Sequence, residues 1–391
     1  MIFACPTLPP EYVDVIQKID VLRKQLRYQT SDNRRSWTGL LRRSTFARGI
    51  QGSNSIEGYN VSEGDAVAAV DEEEPFDADA DTWAAISGYR AALSYVLQLS
   101  DDPFYVHNEG TIRSLHYMMI SYDTRKHPGR WRPGAVWVKH EPSGEVVYEG
   151  PDVQLVPGLM AELIESLNAP SEQPAMVRAA MAHLNLVMIH PFLDGNGRMA
   201  RALQTMVLAR EGILDPVFSS IEEYLGRYTL DYYAVLGEVG KGAWHPENSA
   251  LPWIRFCLIA HYRQAETILR RVKEIERLWN LMEAELAAHG LNSRMMNAVS
   301  DAAFGYKVRN SSYRKLADIS DEVASKDLRT LVERGFLTAQ GERRGRYYVA
   351  SPRLRDITMS VREKRVQTDP FVEGPAGSVT QPQLPGLFPN N

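Results

Sequence analysis

The segment His190-Pro-Phe-Leu-Asp-Gly-Asn-Gly-Arg-Met-Ala-Arg201 places an imidazole, a carboxylate, a Gly-Asn-Gly turn and two arginines within twelve residues. Those parts suit the handling of a polyphosphate. Gly195 and Gly197 let the backbone come close to a ligand, and a helix starting there offers unpaired N–H groups to an anion. Arg198 and Arg201, at i and i+3, project from one face of that helix's first turn. Cations at a helix N-terminus oppose the macrodipole, so both want an anion, either a polyphosphate or an acidic side chain. Asp194 is a hard oxygen ligand placed where Mg²⁺ could bridge phosphate oxygens. His190, with an ordinary pKa of ~6.5, can serve as a general base. Singly, each piece also reads as a helix end, a turn or a solvated cation. Their concentration in one loop is what points to chemistry.

Two apolar helices must hold this loop. Residues 174–189 are apolar on nearly every face, as in a helix central to its domain. The pattern stops at His190-Pro191, because a residue before proline is pushed out of the α region. A second apolar helix runs from near Gly197 to about Arg210. Upstream, Val13, Ile16, Ile19, Leu22 and Leu26 mark an amphipathic first helix, with further helices over about 40–51, 81–99 and 108–121. Asp71-Glu-Glu-Glu74-Pro75 reads as a solvated acidic loop or helix start. Alternation over 135–148, around Glu141-Pro-Ser-Gly144, predicts a β-hairpin.

From Leu251 a long helical pattern reaches His289-Gly290, where a domain boundary is expected. Helices follow at 293–304, 312–319 and 322–334. A hairpin from Phe336 to Val349, around Gly341-Glu-Arg-Arg-Gly345, completes a winged-helix order. After Pro352 the periodicity fades into a Pro- and Gly-rich tail, expected to be disordered. The chain thus reads as mainly α. The expected division is an N-terminal helical region (1–100), a core with its following helices (101–285), a winged-helix α+β domain (286–352) and a tail (353–391). A length of 391 residues accommodates these.

A net charge of −5 gives no global affinity for nucleic acid or anionic membrane. Cys5 and Cys257 form no disulfide framework or metal-ligand spacing. No basic, apolar leader is evident, and no stretch approaches the ~20 apolar residues of a spanning helix. A cytoplasmic location with no membrane partner is the expectation.

The loop reads HPFLDGNGRMAR and matches HxFx(D/E)GNGRxxR at every defined position. The chain thereby resembles the Fic (Fido) family. The hairpin VWVKH…VVYEGPD, preceded by GRWRP, looks like that family's flap, and LPPEYVDVIQKID resembles an N-terminal helical region many members carry. The resemblance covers most of residues 8–250. It implies a Fic-type helical core with a β-hairpin flap, and the activity of a protein adenylyltransferase. AMP would pass from ATP to a Ser, Thr or Tyr hydroxyl of a target protein, or of the enzyme itself, with diphosphate leaving.

Carried over by residue, the resemblance makes His190 the base and Asp194 the holder of Mg²⁺. Asn196 and the amides around Gly195 and Gly197 would cradle the α- and β-phosphates, with Arg198 on the β side and Arg201 clamping the γ-phosphate. Phe192 would anchor the loop. Val136 and Val138 would belong to the flap that pins an extended target segment. Tyr232, with Tyr233 and Leu236, resembles a stretch on the adenine side, or is simply core. Gly197 stands where a phosphorylating branch has lysine, which favours nucleotidyl transfer.

Ser53-Asn-Ser-Ile-Glu57-Gly58 fits the family's inhibitory pattern (S/T)xxxE(G/N). Glu57 would then pair with Arg201 and occupy the place of the γ-phosphate; the alternative is an ordinary Glu-Gly helix end. The same resemblance admits removal of AMP by a Glu57-positioned water, and a homodimer. In the C-terminal module, Ser325, Lys326 and Arg329, with Arg343, Arg344 and Arg346 at the wing tip, suit either DNA contact or protein docking. A rival reading is a winged-helix transcriptional regulator whose Fic-like domain senses nucleotide. A His183/His190/Asp194 metallohydrolase is a third, short of ligand pairs.

Overall fold

The computed structural model describes residues 1–30, 37–139, 144–210, 212, 215–342, 345–365 and 368–372. Helical patterning yields, in chain order, α1 (Pro10–Thr30), α2 (Thr38–Ile56), α3 (Glu63–Val70), α4 (Ala80–Ser100) and α5 (Glu109–Ile120). A first hairpin follows, β1 (Trp137–Lys139) and β2 (Val146–Glu149). Beyond it run α6 (Val156–Asn168), α7 (Ala175–Ile189), α8 (Asn196–Arg210), α9 (Pro216–Ser219), α10 (Glu222–Arg227), α11 (Thr229–Gly240) and α12 (Leu251–Ala288). The chain closes with α13 (Met296–Ala303), α14 (Asn310–Ala317), α15 (Asp321–Glu333), β3 (Leu337–Gln340), β4 (Tyr347–Ala350) and α16 (Pro352–Ser360). The fold is mainly α, with two small antiparallel hairpins.

α7 is the centre of the larger core. Almost every residue from Ala175 to Ile189 is buried, against α8, α6 and the start of α12. A helix apolar all round can only be stable in that position. Trp253 of α12 lies in the same core and donates its indole N–H to Ala180 O at 2.7 Å. α12 is long enough to serve two cores: Trp253, Ile254 and Leu258 pack with α7, while Leu278, Met282 and Leu286 pack with the C-terminal module.

That module has helices α13 to α15 followed by the β3–β4 hairpin, registered Leu337↔Ala350 to Gln340↔Tyr347. Leu328, Leu331 and Phe336 form its centre. Asp327 is buried in α15 yet fully used, pairing with Arg294 at 2.7 Å and accepting from the Tyr313 hydroxyl at 2.9 Å. Ser325, Lys326 and Arg329 are exposed on the opposite side. Arg343 and Arg344 lie outside the described residues.

Two expectations need correction. The acidic run Asp71–Pro75 is only partly solvated: Glu72 and Glu74 are exposed, whereas Asp71 and Glu73 turn inward. Arg43 of α2 pairs with Asp71 at 2.9 Å and, through both its terminal nitrogens, with Asp301 of α13 at 3.0 Å. Burial outweighs Arg43 and lifts the Asp71 carboxyl to about 6. Lys307 reaches Asp77 at 2.5 Å, and Arg309 stacks on Phe76 and donates to Pro75 O at 3.1 Å. The acidic run therefore seats the C-terminal module against the N-terminal helices. The tail is the second correction. α16 occupies 352–360, capped by the Ser351 hydroxyl, which accepts from Leu354 N. Residues 368–372 return to α1 and α12: Lys18 donates to Pro370 O at 2.9 Å and Arg263 to Thr368 O at 2.8 Å. Residues 373–391 lie outside the described residues.

Arg43→Ala is expected to lower unfolding stability by about 3 kcal/mol, the order found when one partner of a buried pair is removed. Denaturant unfolding measures it. A loss within error of zero would mean the Asp71–Arg43–Asp301 contact does not hold the module.

Candidate functional site

The loop between α7 and α8 keeps its shape through side chains that the motif only partly announces. His190 caps α7 in the left-handed region (φ 52°), its N–H donating to Leu186 O at 3.0 Å, and Pro191 bars continuation. Asn196 spends its amide on the loop itself. Its oxygen accepts from Phe192 N and its nitrogen donates to Phe192 O, both at 2.9 Å. The Asn196 side chain therefore braces the turn and does not reach into the anion cradle. Phe192 is fully buried and stacks on His116 with ring centres 3.7 Å apart.

His116 and Arg132 complete the brace, and neither was legible from the motif. His116 Nδ1 accepts from Gly129 N at 2.8 Å, so its Nε2–H donates to Asp194 O at 2.9 Å. Burial pushes its pKa down to about 4, which keeps that neutral tautomer. Arg132 donates its Nε–H to His190 O at 3.0 Å and its backbone N–H to Pro191 O at 2.8 Å. It also donates to Pro151 O, tying the loop to the base of the hairpin.

These contacts fix the His190 ring. Nδ1 lies 3.1 Å from Val187 O, an acceptor only, so Nδ1 carries the proton and Nε2 the lone pair. Burial holds the imidazole below its ordinary pKa, against the opposite pull of the Val187 carbonyl and Glu57. The ring is a neutral base near pH 7.

Arg201 is wholly buried and engaged. Nη2 lies 2.6 Å from Glu57 Oε1 and 3.0 Å from Ser53 O, while Nε donates to the Ser53 hydroxyl at 2.7 Å. Although burial disfavours the charged guanidinium, Glu57 together with Tyr232 and Tyr89 outweighs it and raises the Arg201 pKa. The local reading of Glu57-Gly58 holds as well. Gly58 adopts φ 84°, Gly58 N donates to Ser55 O and Tyr59 N to Asn54 O, the pairing of a Schellman helix end. The helix stop is what delivers Glu57 to Arg201.

Gly197 makes room for that contact. A Cβ on it would lie 2.3 Å from Glu57 Oε1 and 3.1 Å from Arg201 Nη1. Gly197→Ala is expected to cost on the order of 1–3 kcal/mol by overpacking, but much less in a Glu57→Ala background. Thermal melts of the four proteins test this; equal losses in both backgrounds would place the clash elsewhere.

Arg198 is the opposite of Arg201. It is completely buried, and none of its guanidinium nitrogens has a hydrogen-bond partner among the described residues. The Tyr59 ring lies 5.2 Å from the guanidinium carbon, and the Tyr122 hydroxyl and the Asp194 carboxylate are near enough to feel its charge. An unpaired buried cation beside the first turn of α8, with Gly195 at φ 78°, is a place for an anion. Asp194 lies at the mouth. Burial would raise its carboxyl, but Lys126 at 2.6 Å and the guanidinium of Arg198 hold it lower. Among the described residues no three His, Cys, Asp or Glu side chains gather into a metal site. A cation at Asp194 would thus take most of its ligands from phosphate and water, which is how Mg²⁺ is commonly held.

Other expected residues fall elsewhere. Tyr232 is buried, its hydroxyl 3.0 Å from His183 Nε2, and His183 Nδ1 is 2.6 Å from Gln204 Oε1. Tyr232 is thus buried between His183 and Arg201, and both nitrogens of His183 are spent. The exposed neighbour Tyr233 instead donates its hydroxyl to Ile56 O, at the end of α2. In the hairpin, Trp137 pairs with Glu149 and Val138 with Tyr148. Val136 and Val138 are half-buried while Trp137 faces out. Tyr148 anchors the hairpin by donating to Met188 O at 2.7 Å, and a Cβ on Gly150 would come 3.8 Å from that of His190. No helix among the described residues is long and apolar enough to cross a membrane.

Residues 107–208 match the model of the Fic/DOC family. Two curated relatives are proteins named protein adenylyltransferase fic-1. That of Caenorhabditis briggsae is 38% identical over 82 residues, covering 20% of this chain and 16% of the relative. That of Caenorhabditis elegans is 44% identical over 62 residues, covering 16% and 12%. The chain thus spans under a fifth of their length. In fold, a Fic family protein from Desulfovibrio desulfuricans G20 superposes with a TM-score of 0.58 at 21% identity, over 90% of this chain and 99% of the other. Fic-1 from C. elegans superposes with 0.54 at 21% identity, over 66% and 72%. Helices, hairpin and loop thus share the fold of solved Fic family proteins, and residues 107–208 match the Fic/DOC family model.

Proposed function

We propose that this protein is a protein adenylyltransferase, moving AMP from ATP to a hydroxyl side chain of a protein, and that Glu57 holds it in check. The observation that carries the reading is the pairing of opposite states in one loop. Arg198 is a buried cation whose nitrogens have no hydrogen-bond partner among the described residues, while Arg201 is a buried cation already taken by Glu57. A triphosphate would satisfy the first and compete for the second. The names of the relatives support the chemistry.

In this reading the α8 N-terminus and Arg198 hold the phosphates nearer the α-phosphorus, and Arg201, once released, takes the γ-phosphate. His190 Nε2 accepts the proton of the target hydroxyl as its oxygen bonds to the α-phosphorus. The bond to the bridging oxygen breaks and diphosphate leaves. Asp194 would hold a Mg²⁺ ion, which supplies charge neutralisation between the phosphates. The hairpin beside His190 would present the target segment along the free edge of β1. With Glu57 on Arg201 the γ-phosphate has no clamp, and alignment for in-line attack is most of what such a site provides.

Incubation of Glu57→Gly protein with α-labelled nucleotides and a cell lysate, followed by mass spectrometric mapping, tests the assignment. AMP on Ser, Thr or Tyr side chains is the expected product. Absence of any nucleotidyl adduct, with nucleotide demonstrably bound, would contradict it.

A further inference from the structure

The carboxylate assigned to the metal already has a cation on it. One oxygen of Asp194 accepts from Gly195 N at 2.6 Å, and the other lies 2.6 Å from Lys126 Nζ. Lys126 also donates to the Tyr59 hydroxyl at 3.3 Å, which in turn lies 3.0 Å from the Tyr122 hydroxyl. The Tyr59 ring packs on the Arg198 guanidinium. Tyr59 belongs to the turn that ends α2, two residues beyond Glu57, and is held there by its N–H to Asn54 O at 3.1 Å. One turn therefore touches Arg201 through Glu57, and both Arg198 and Lys126 through Tyr59.

We propose that Lys126 is a resident cation at Asp194, which a divalent metal must displace, and that Tyr59 ties it to the inhibitory turn. The proposal rests on Asp194 being the metal's ligand. A magnesium ion approaches a carboxylate oxygen to about 2.1 Å. An ammonium at hydrogen-bond range of that same oxygen would meet the ion at close quarters, with like charge, and must leave. Its departure breaks the Lys126–Tyr59 bond and loosens the ring that covers Arg198. Metal binding and the closed turn are then antagonists, and linkage makes the antagonism mutual.

The test uses the full chain in a His190→Ala background, so that no turnover intervenes, and follows binding of a fluorescent ATP analogue by anisotropy while Mn²⁺ is titrated. Lys126→Met is expected to lower the half-saturating Mn²⁺ about fivefold or more, the usual scale of such coupling. Lys126→Arg keeps a cation at Asp194 and should stay close to the unsubstituted protein. Tyr59→Phe removes the hydroxyl that holds Lys126 to the turn and should also lower the half-saturating concentration. An unchanged or raised half-saturating Mn²⁺ in Lys126→Met overturns the competition. An unchanged value in Tyr59→Phe overturns the tie to the turn. Asp194→Asn should abolish the metal dependence; if it does not, the metal reading itself fails, and the proposal falls with it.

Discussion

Glu57→Gly should incorporate AMP into itself or a target at least about tenfold faster than the wild-type protein, a coupling of at least roughly 1.4 kcal/mol. The size follows from what Glu57 holds. Arg201 has no solvent exposure on its side chain, whereas Glu57 keeps 21%. Glu57 and Ser53 hold Nη2 and Nε, so a nucleotide that takes the Glu57-facing nitrogen must compete with the carboxylate. Ser53 remains on Arg201 Nε in the variant, so the clamp should keep its orientation while losing its competitor. Equal rates of labelling in wild type and variant, with ATP saturating, would show that the Glu57–Arg201 pair does not restrain the enzyme.

The second large effect is at His190. In the Glu57→Gly background, His190→Ala should reduce labelling by about 10²–10⁴-fold, the ordinary contribution of a positioned base. Retention of most activity would assign the proton to another group. The pH dependence gives an independent reading. A base works in its neutral form, and burial lowers the His190 pKa, so the neutral form persists to lower pH. Rate should rise with pH through a value below the ordinary ~6.5 and be flat around neutrality. Glu57 favours the charged imidazole, so its removal should move the acid limb lower still. An acid limb above the ordinary value would contradict the burial argument.

The legible part of this molecule is the part written contiguously. The imidazole, the carboxylate, the glycine turn and both arginines fall within one loop, so their spacing alone places them on a helix end and a first helical turn. Ser53 and Glu57 sit one helical turn apart, and the structure puts both on Arg201. Lys126 was out of reach because nothing local distinguishes it; it meets Asp194 only through the fold. Tyr59 stood next to a recognised motif, yet its contact with Arg198 depends on how α2 lies across α8. Misreading the acidic run has the same origin. Its partners Lys307 and Arg309 lie more than two hundred residues away, and a charge run without visible partners reads as solvated. Tyr232 shows the limit of carrying a residue by position alone. Its burial between His183 and Arg201 is visible only in the packing.

The most direct test of the central claim is which phosphorus moves. Glu57→Gly protein is incubated separately with ATP labelled at the α- and at the γ-phosphate, beside the Glu57→Gly/His190→Ala double variant. α-label bound to protein and γ-label released as diphosphate, both lost in the double variant, is the expected result. Transfer of the γ-label, or α-label transfer that survives loss of His190, would contradict it.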